Sequence, residues 1–223
     1  METERLVAQL TAGLEPVRRL PSPEARLGRW LLASVPAAGV VAVVSGLRPD
    51  LAARLADPGF LTEVAAAALT ATVGTYAALC AGLPDQPGWK LWLPLAPMLL
   101  WLGTLGHQCM DTLLHYGPQG LTLTADAMCL PSIALAGLVP AIAITLMLRR
   151  GGQFRRTNAC LCGGLGAAAL GGAALRLFHP VDAAIMVIVW QLGSVALLSL
   201  VAGLIGRVLI GMSDQHARFV PGG

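Results

Sequence analysis

The chain has 223 residues, of which 56% are hydrophobic and 12% are charged, and its formal net charge is +3. Soluble domains carry about 25% charged residues, so this composition excludes an ordinary soluble protein. The few positive charges are spread over several segments and form no dense basic patch. We therefore expect no direct contact with nucleic acid.

Six apolar stretches without Asp, Glu, Lys or Arg predict an all-α polytopic membrane protein with six transmembrane helices. A bilayer core about 30 Å thick takes about 17–25 helical residues, and the third stretch falls slightly short of that length. Trp89, Trp92 and Trp101 near its two ends are typical of interfacial anchors. The six stretches span residues 30–47, 64–84, 91–106, 127–148, 157–175 and 183–206.

Arginine content alternates from one connecting segment to the next and predicts the orientation. Cytoplasmic loops retain Arg and Lys, whereas the third connection has neither between His107 and Asp126. The first connection, with Arg48 and Arg54, is the exception. We expect both termini in the cytoplasm, with a cytoplasmic segment at 1–27, a transmembrane domain at 28–211 and a short cytoplasmic tail at 212–223. The basic segments carry Arg5, Arg18, Arg19, Arg26, Arg29, Arg149, Arg150, Arg155, Arg156, Arg207 and Arg218.

The N-terminal segment predicts a short amphipathic helix. Leu6, Val7, Leu10 and Leu14 share one helical face, and Pro16 ends the helix. Two interpretations remain open at this point. The apolar face could dock on a protein partner, or it could lie on the bilayer as an interfacial helix.

The fifth stretch carries small residues at helical spacing. Gly163, Ala167 and Gly171 repeat every four residues, which allows two helix backbones to approach closely. This pattern suits packing inside the bundle, and a dimer face is the alternative.

Residues capable of metal or redox chemistry collect in the segments predicted to lie outside. His107 and Cys109 follow the third stretch, and Cys129 lies near the start of the fourth. Antiparallel helices would bring the two thiols to the same membrane level. They could form a disulfide in an oxidising compartment, or bind a soft metal with His107, His115 or His179 completing the shell. Ordinary buried cysteines are the plain alternative.

Several functional classes find no support in the sequence. There is no Gly-rich phosphate loop, HExxH, CxxC or serine nucleophile motif, so we expect neither an enzyme nor a resident cofactor. The apolar stretches lack the ionisable residues that ion-coupled transporters usually keep in their spans. A small transporter or channel and a membrane thiol oxidoreductase are the alternatives from other classes.

The segment Gly46-Leu47-Arg48-Pro49-Asp50, followed by Asp57-Pro58-Gly59-Phe60 and Glu63, resembles the first external loop of NrsF-type proteins. These are six-helix bacterial membrane proteins that act as anti-sigma factors. Gln191 follows the tryptophan of the last stretch, where histidine is common in the family. The resemblance covers nearly the whole chain and continues through Glu15-Pro16-Val17-Arg18-Arg19, Trp101, Cys109, Cys129, Arg149-Arg150, Trp190 and Gly206-Arg207.

The resemblance implies an inner-membrane protein that sequesters an extracytoplasmic-function (ECF) sigma factor and releases it on heavy-metal or oxidative stress. It implies that Cys109 and Cys129 are the sensor, with a heavy-metal ion as a possible signal bound by these thiols and His107. The sigma factor is expected to bind at the N-terminal segment, and the first and fourth transmembrane helices are expected to transmit the signal from the sensor to this segment. The expected partner-binding residues are Leu6, Val7, Leu10, Leu14, Arg18 and Arg19.

Overall fold

A computed structural model describes residues 2–12, 20–117, 129–151 and 154–179, together with residues 193, 196–198, 200, 201 and 204. These residues form helices and connecting turns, and no strand occurs among them. The all-α prediction is therefore confirmed for this part of the chain. The helices are α1 (Glu2–Thr11), α2 (Pro23–Val44), α3 (Leu51–Leu55), α4 (Pro58–Ala81), the 3₁₀ helix Gly88–Trp92, α5 (Leu95–Tyr116), α6 (Cys129–Arg149) and α7 (Arg156–Phe178).

The helices α2 and α4 begin several residues before the uncharged stretches that predict them, and both begin with the same local signal. Ser22 precedes Pro23, and its side chain accepts a hydrogen bond from the backbone N–H of Ala25. Asp57 precedes Pro58 and accepts from the N–H of Gly59. A capping side chain satisfies an N–H that the helix leaves free, and proline is favoured at the first helical position.

Membrane-spanning character is supported by helix length and by the exposed side chains. Four helices, Pro23–Val44, Pro58–Ala81, Pro131–Arg149 and Arg156–Phe178, are long and apolar enough to cross a membrane. Apolar side chains such as Leu32 and Val44 are 78% and 81% exposed, as expected of a surface that contacts lipid. The sixth predicted stretch, at 183–206, lies largely outside the described residues.

The helix α7 occupies the centre of the bundle and packs between α4 and α6. A Cβ added at Gly166 would lie 2.3 Å from Thr75 Oγ1 of α4, and one at Gly171 would lie 2.6 Å from the Ile133 carbonyl oxygen of α6. The small residues at 163, 167 and 171 are all buried. Their repeat therefore serves packing within the bundle, which was one of the two interpretations left open.

The helix α5 is longer than the third apolar stretch predicts. It continues to Tyr116 because nothing breaks it before Gly117, whose φ is 64°. His107, Cys109 and His115 therefore lie on its last turns, and their expected position in a connection after the helix is wrong. Trp101 is also not an interfacial anchor, because it is buried with 1% exposure.

The bundle has two ends, because consecutive long helices among α2, α4, α5, α6 and α7 run antiparallel to one another, as the contacts between them show. The Arg48 end contains the C-terminal ends of α2, α5 and α7 and the N-terminal ends of α4 and α6. The Arg26 end contains the opposite ends of these helices. These two names are used below.

Candidate functional site

A buried ion pair joins α4 to α7 at the Arg48 end. Arg176 Nε lies 2.9 Å from Glu63 Oε1, and Arg176 also donates from NH2 to Glu63 Oε2 at 3.2 Å. Both residues are buried. The pair therefore combines one charge-assisted hydrogen bond with one close ion-pair contact. A charge in an apolar interior is tolerated when it is paired in this way.

Sequence reasoning missed this pair. Glu63 and Arg176 each adjoin an uncharged stretch, at 64–84 and at 157–175, and the helices continue through both residues. The expectation that the spans contain no ionisable residue is therefore wrong for α4 and α7. The sequence feature that could have predicted the pair is an acidic residue and a basic residue at the facing ends of two antiparallel helices.

An aromatic ring and a second arginine surround the pair. The guanidinium carbons of Arg176 and Arg48 lie 5.3 and 5.9 Å from the centroid of the Phe60 ring. Arg48 donates to both carboxylate oxygens of Asp50, at 2.7 and 2.8 Å. These bonds lower the pKa of Asp50 to about 2. The N–H of Arg48 also donates to the Leu177 carbonyl at 3.1 Å, so the cluster connects the loop after α2 with α4 and α7.

The helix α5 also contacts this cluster. Gln108 donates from Nε2 to Glu63 Oε2 at 3.4 Å, a long and therefore weak hydrogen bond. The next residue is Cys109, a half-buried free thiol. The candidate sensor cysteine is thus the immediate neighbour of an amide that contacts the buried pair.

The other predicted sensor residues are only partly described. His107 and Asp111 meet at 3.2 Å on the exposed surface of α5, and His115 Nδ1 lies 2.9 Å from the Asp111 carbonyl oxygen. No group of three His, Cys, Asp or Glu side chains is placed to hold a metal within the described ranges. The backbone of Cys129 begins α6, but its side chain is outside the described part, so its pairing with Cys109 stays a prediction.

The predicted partner-binding helix is present as α1 (Glu2–Thr11). Leu6, Val7 and Leu10 are 55%, 54% and 66% exposed. The apolar face is therefore open among the described residues. The remaining predicted members, Leu14, Arg18 and Arg19, lie outside them.

At the Arg26 end, α2 is attached to α6 through main-chain carbonyls. Arg26 is buried and donates to the carbonyl oxygen of Met147, in the last turn of α6. Trp30 donates from Nε1 to the carbonyl oxygen of Pro140 at 3.0 Å. These two contacts connect the helix that follows the N-terminal segment with the helix that precedes the basic loop at 149–156.

A half-buried polar network lies at the same end. Lys90 donates to the hydroxyl of Tyr76 at 3.1 Å and to Gln86 Oε1 at 2.7 Å. The Tyr76 hydroxyl in turn donates to Glu24 Oε1 at 3.0 Å. The hydrogen bond to Tyr76 raises the pKa of Lys90.

The family model described as NrsF, negative regulator of sigma F, matches residues 10–211. The chain belongs to the NrsF family. Neither a curated protein nor a solved structure matches it. The predicted resemblance is confirmed, and the family is one of negative regulators of a sigma factor rather than a known family of enzymes.

Proposed function

We propose that this NrsF-family protein is an inner-membrane anti-sigma factor that sequesters an ECF sigma factor and releases it on heavy-metal or oxidative stress. The family match supports regulation of a sigma factor, and the apolar helices support a place in the membrane. The observation that carries the proposal furthest is the exposed apolar face of α1. A short amphipathic helix with an open face is suited to insertion into a groove of a partner protein.

The binding surface is tested by placing charges on that face. The double variant Leu6→Asp/Leu10→Asp puts two carboxylates where the sigma factor would contact apolar side chains, and each buried unpaired charge costs several kcal/mol. We expect loss of sigma-factor co-purification and constitutive expression of the target genes. The matched control is Ala8→Asp/Ala12→Asp, which adds the same charges at the same spacing to the opposite, exposed face. Equal effects of the two variants would place the binding surface elsewhere.

The proposed orientation puts the Arg26 end in the cytoplasm and the Arg48 end in the periplasm. The basic loop at 149–156 and the N-terminal segment support it, because positively charged segments stay in the cytoplasm. Alkaline phosphatase fused after Gly117 should be active, and the same enzyme fused after Gly152 should be inactive. The reverse pattern would invert the assignment.

The proposed sensor is the Cys109/Cys129 thiol pair. In one form of the signal, oxidation joins the two thiols in a disulfide. In the other, both thiolates bind a soft metal ion, and His107, next to Asp111, supplies an additional ligand. Cys109→Ser and Cys129→Ser should each impair induction by cadmium, chromate or an oxidant, and the double variant should be no worse than either single. Cys80→Ser and Cys160→Ser are the matched controls. A wild-type response from the double variant would exclude these thiols.

We propose that α6 and α2 transmit the signal from the sensor to the N-terminal segment. Arg26 and Trp30 attach α2 to carbonyl groups of α6, and the N-terminal segment leads directly into α2. A shift of α6 at its Cys129 end would therefore alter the position of α2 where the sigma-binding segment begins.

A further inference from the structure

The inward face of α5 changes from apolar to polar at Gln108. Trp101 and Leu105 are the buried residues of this helix, and they lie one turn apart. Gln108 is the next residue on the same face, three positions further, and it is a polar residue. None of the residues from 106 to 116 is buried. Within the described part of the chain, the last turns of α5 therefore have no apolar attachment of their own to the core.

The space beside these turns is open. A groove of about 510 Å³ lies between the first turns of α4 and the middle of α5. Gly59, Thr62, Gly103, His107 and Gln108 are among the residues that line it. Among the described residues, this groove leaves that part of α5 less closely packed against α4. A hydrogen bond from Gln108 to Glu63 links these turns to α4, and it is weak by its length.

The acceptor of that bond is fixed much more firmly than the donor. Glu63 is held by the two contacts from Arg176, and Arg176 stacks on Phe60. A rigid acceptor and a loosely held donor form a two-state element, because the donor side can detach while the acceptor side stays in place. Cys109 follows Gln108 directly, so a chemical change at this thiol acts on the detachable side.

We propose that Gln108, bonded to the buried Glu63–Arg176 pair, is the positioning residue that holds the Cys109-bearing turns of α5 against α4 and α7, and that the signal acts by releasing this bond. The regulatory part rests on the proposed function, whereas the positional part does not. Reaction at Cys109 then displaces the last turns of α5 from α4. Glu63 then loses its amide donor, and the junction of α4 and α7 changes its hydrogen bonding.

The positional part is tested by thiol labelling in a chain whose other cysteines are replaced by serine. Gln108→Leu keeps a similar volume but cannot donate to the carboxylate. Cys109 should then react several-fold faster with a membrane-impermeant maleimide in intact membranes. The matched control is Thr112→Val, one turn further on, because the Thr112 hydroxyl bonds to the Gln108 carbonyl within α5 itself. Labelling of Gln108→Leu at the parent rate would overturn the proposal.

The regulatory part is tested in cells with all five cysteines present. Gln108→Leu should raise the basal expression of sigma-dependent genes several-fold and reduce the induction ratio, whereas Thr112→Val should behave as the wild type. Gln108→Asn, which keeps the amide but shortens its reach, should show the same changes and serves if Gln108→Leu does not accumulate. Faster labelling with unchanged regulation would overturn the signalling role. If deletion of the whole protein left sigma-dependent expression unchanged, the proposed function would fail, and the labelling result would still decide the positional part.

Discussion

Both ends of the bundle bury arginine, and Arg176 at one end and Arg26 at the other have different partners. At the Arg48 end, Arg176 faces the carboxylate of Glu63. At the Arg26 end, Arg26 faces the main-chain carbonyl of Met147, in the last turn of α6. The first partner carries a full negative charge. The second carries a partial one, which the dipole at a helix C-terminus reinforces.

Because of this difference, the Glu63–Arg176 contact has fixed partners, whereas the Arg26 contact can change its partner. Glu63 and Arg176 neutralise each other, so neither can be removed or moved alone without leaving a buried charge. Arg26 can exchange one carbonyl for another because the C-terminal turn of a helix leaves several carbonyls without an intrahelical partner. The Arg48 end is therefore suited to a discrete change of state. The Arg26 end is suited to transmit a small shift between α2 and α6.

The largest effect is expected from removal of one member of the buried pair. Glu63→Leu or Arg176→Met leaves an uncompensated buried charge, which costs about 3–5 kcal/mol. The double variant Glu63→Leu/Arg176→Met removes both charges and should recover most of the loss. Thermal unfolding in detergent and the protein level in membranes would measure this. Additive losses in the double variant would mean that the two residues act independently.

A smaller effect is expected at Arg26, and no second substitution should rescue it. Arg26→Met keeps the apolar stem but removes the donor to the Met147 carbonyl. A hydrogen bond to a charged group contributes about 1.5–3 kcal/mol. Arg26→Lys should retain part of the stability, because an ammonium can also reach a carbonyl. An Arg26→Met loss as large as that of Arg176→Met would remove the distinction between the two ends.

The glycines of α7 offer a test of packing at each end. An alanine Cβ at Gly171 would lie 2.6 Å from the Ile133 carbonyl oxygen, whereas at Gly163 the nearest atom is Ile144 Cγ1 at 3.1 Å. A side-chain carbon can move aside, but a helix backbone cannot. Gly171→Ala should therefore cost about 1–3 kcal/mol and Gly163→Ala clearly less. Gly103→Ala is the control, because nothing lies within 4 Å of its Cβ position, and it should be neutral or mildly stabilising.

The apolar stretches and small-residue spacing predicted much of the fold, because both follow directly from burial. The period of Leu6, Val7 and Leu10 likewise predicted α1 and its open face. The end of α5 was not predicted, since a fall in hydropathy after Gly106 does not break a helix, whereas Gly117 does.

The Glu63–Arg176 pair was missed for a different reason. Its members are 113 positions apart in sequence and meet only when α4 and α7 are assembled. An uncharged stretch ends, by definition, at the first charged residue. A search for such stretches therefore leaves out the charged residues at their boundaries, even where the helix continues through them. Gln108 adjoins Cys109 in sequence, but its role depends on Glu63 and could not be predicted without that pair. The contacts at the Arg48 end therefore depend on tertiary structure more than the apolar face of α1 does.

The smallest expected effect concerns Asp50, the exposed partner of the buried Arg48, and its pH dependence. The hydrogen bonds from Arg48 hold the pKa of Asp50 at about 2, below its ordinary value of 3.8. A carboxylate with a lowered pKa stabilises the fold above its unfolded pKa, and this contribution is lost as the pH falls through the folded pKa. The difference in unfolding temperature between the wild type and Asp50→Asn should therefore be constant from about pH 7 to pH 5, because Asp50 stays ionised there in both the folded and the unfolded chain. It should shrink below pH 3.8 and vanish only below about pH 2. A difference that disappears above pH 5 would show that Arg48 does not hold this carboxylate, and the Arg48 end would lose its outer ion pair.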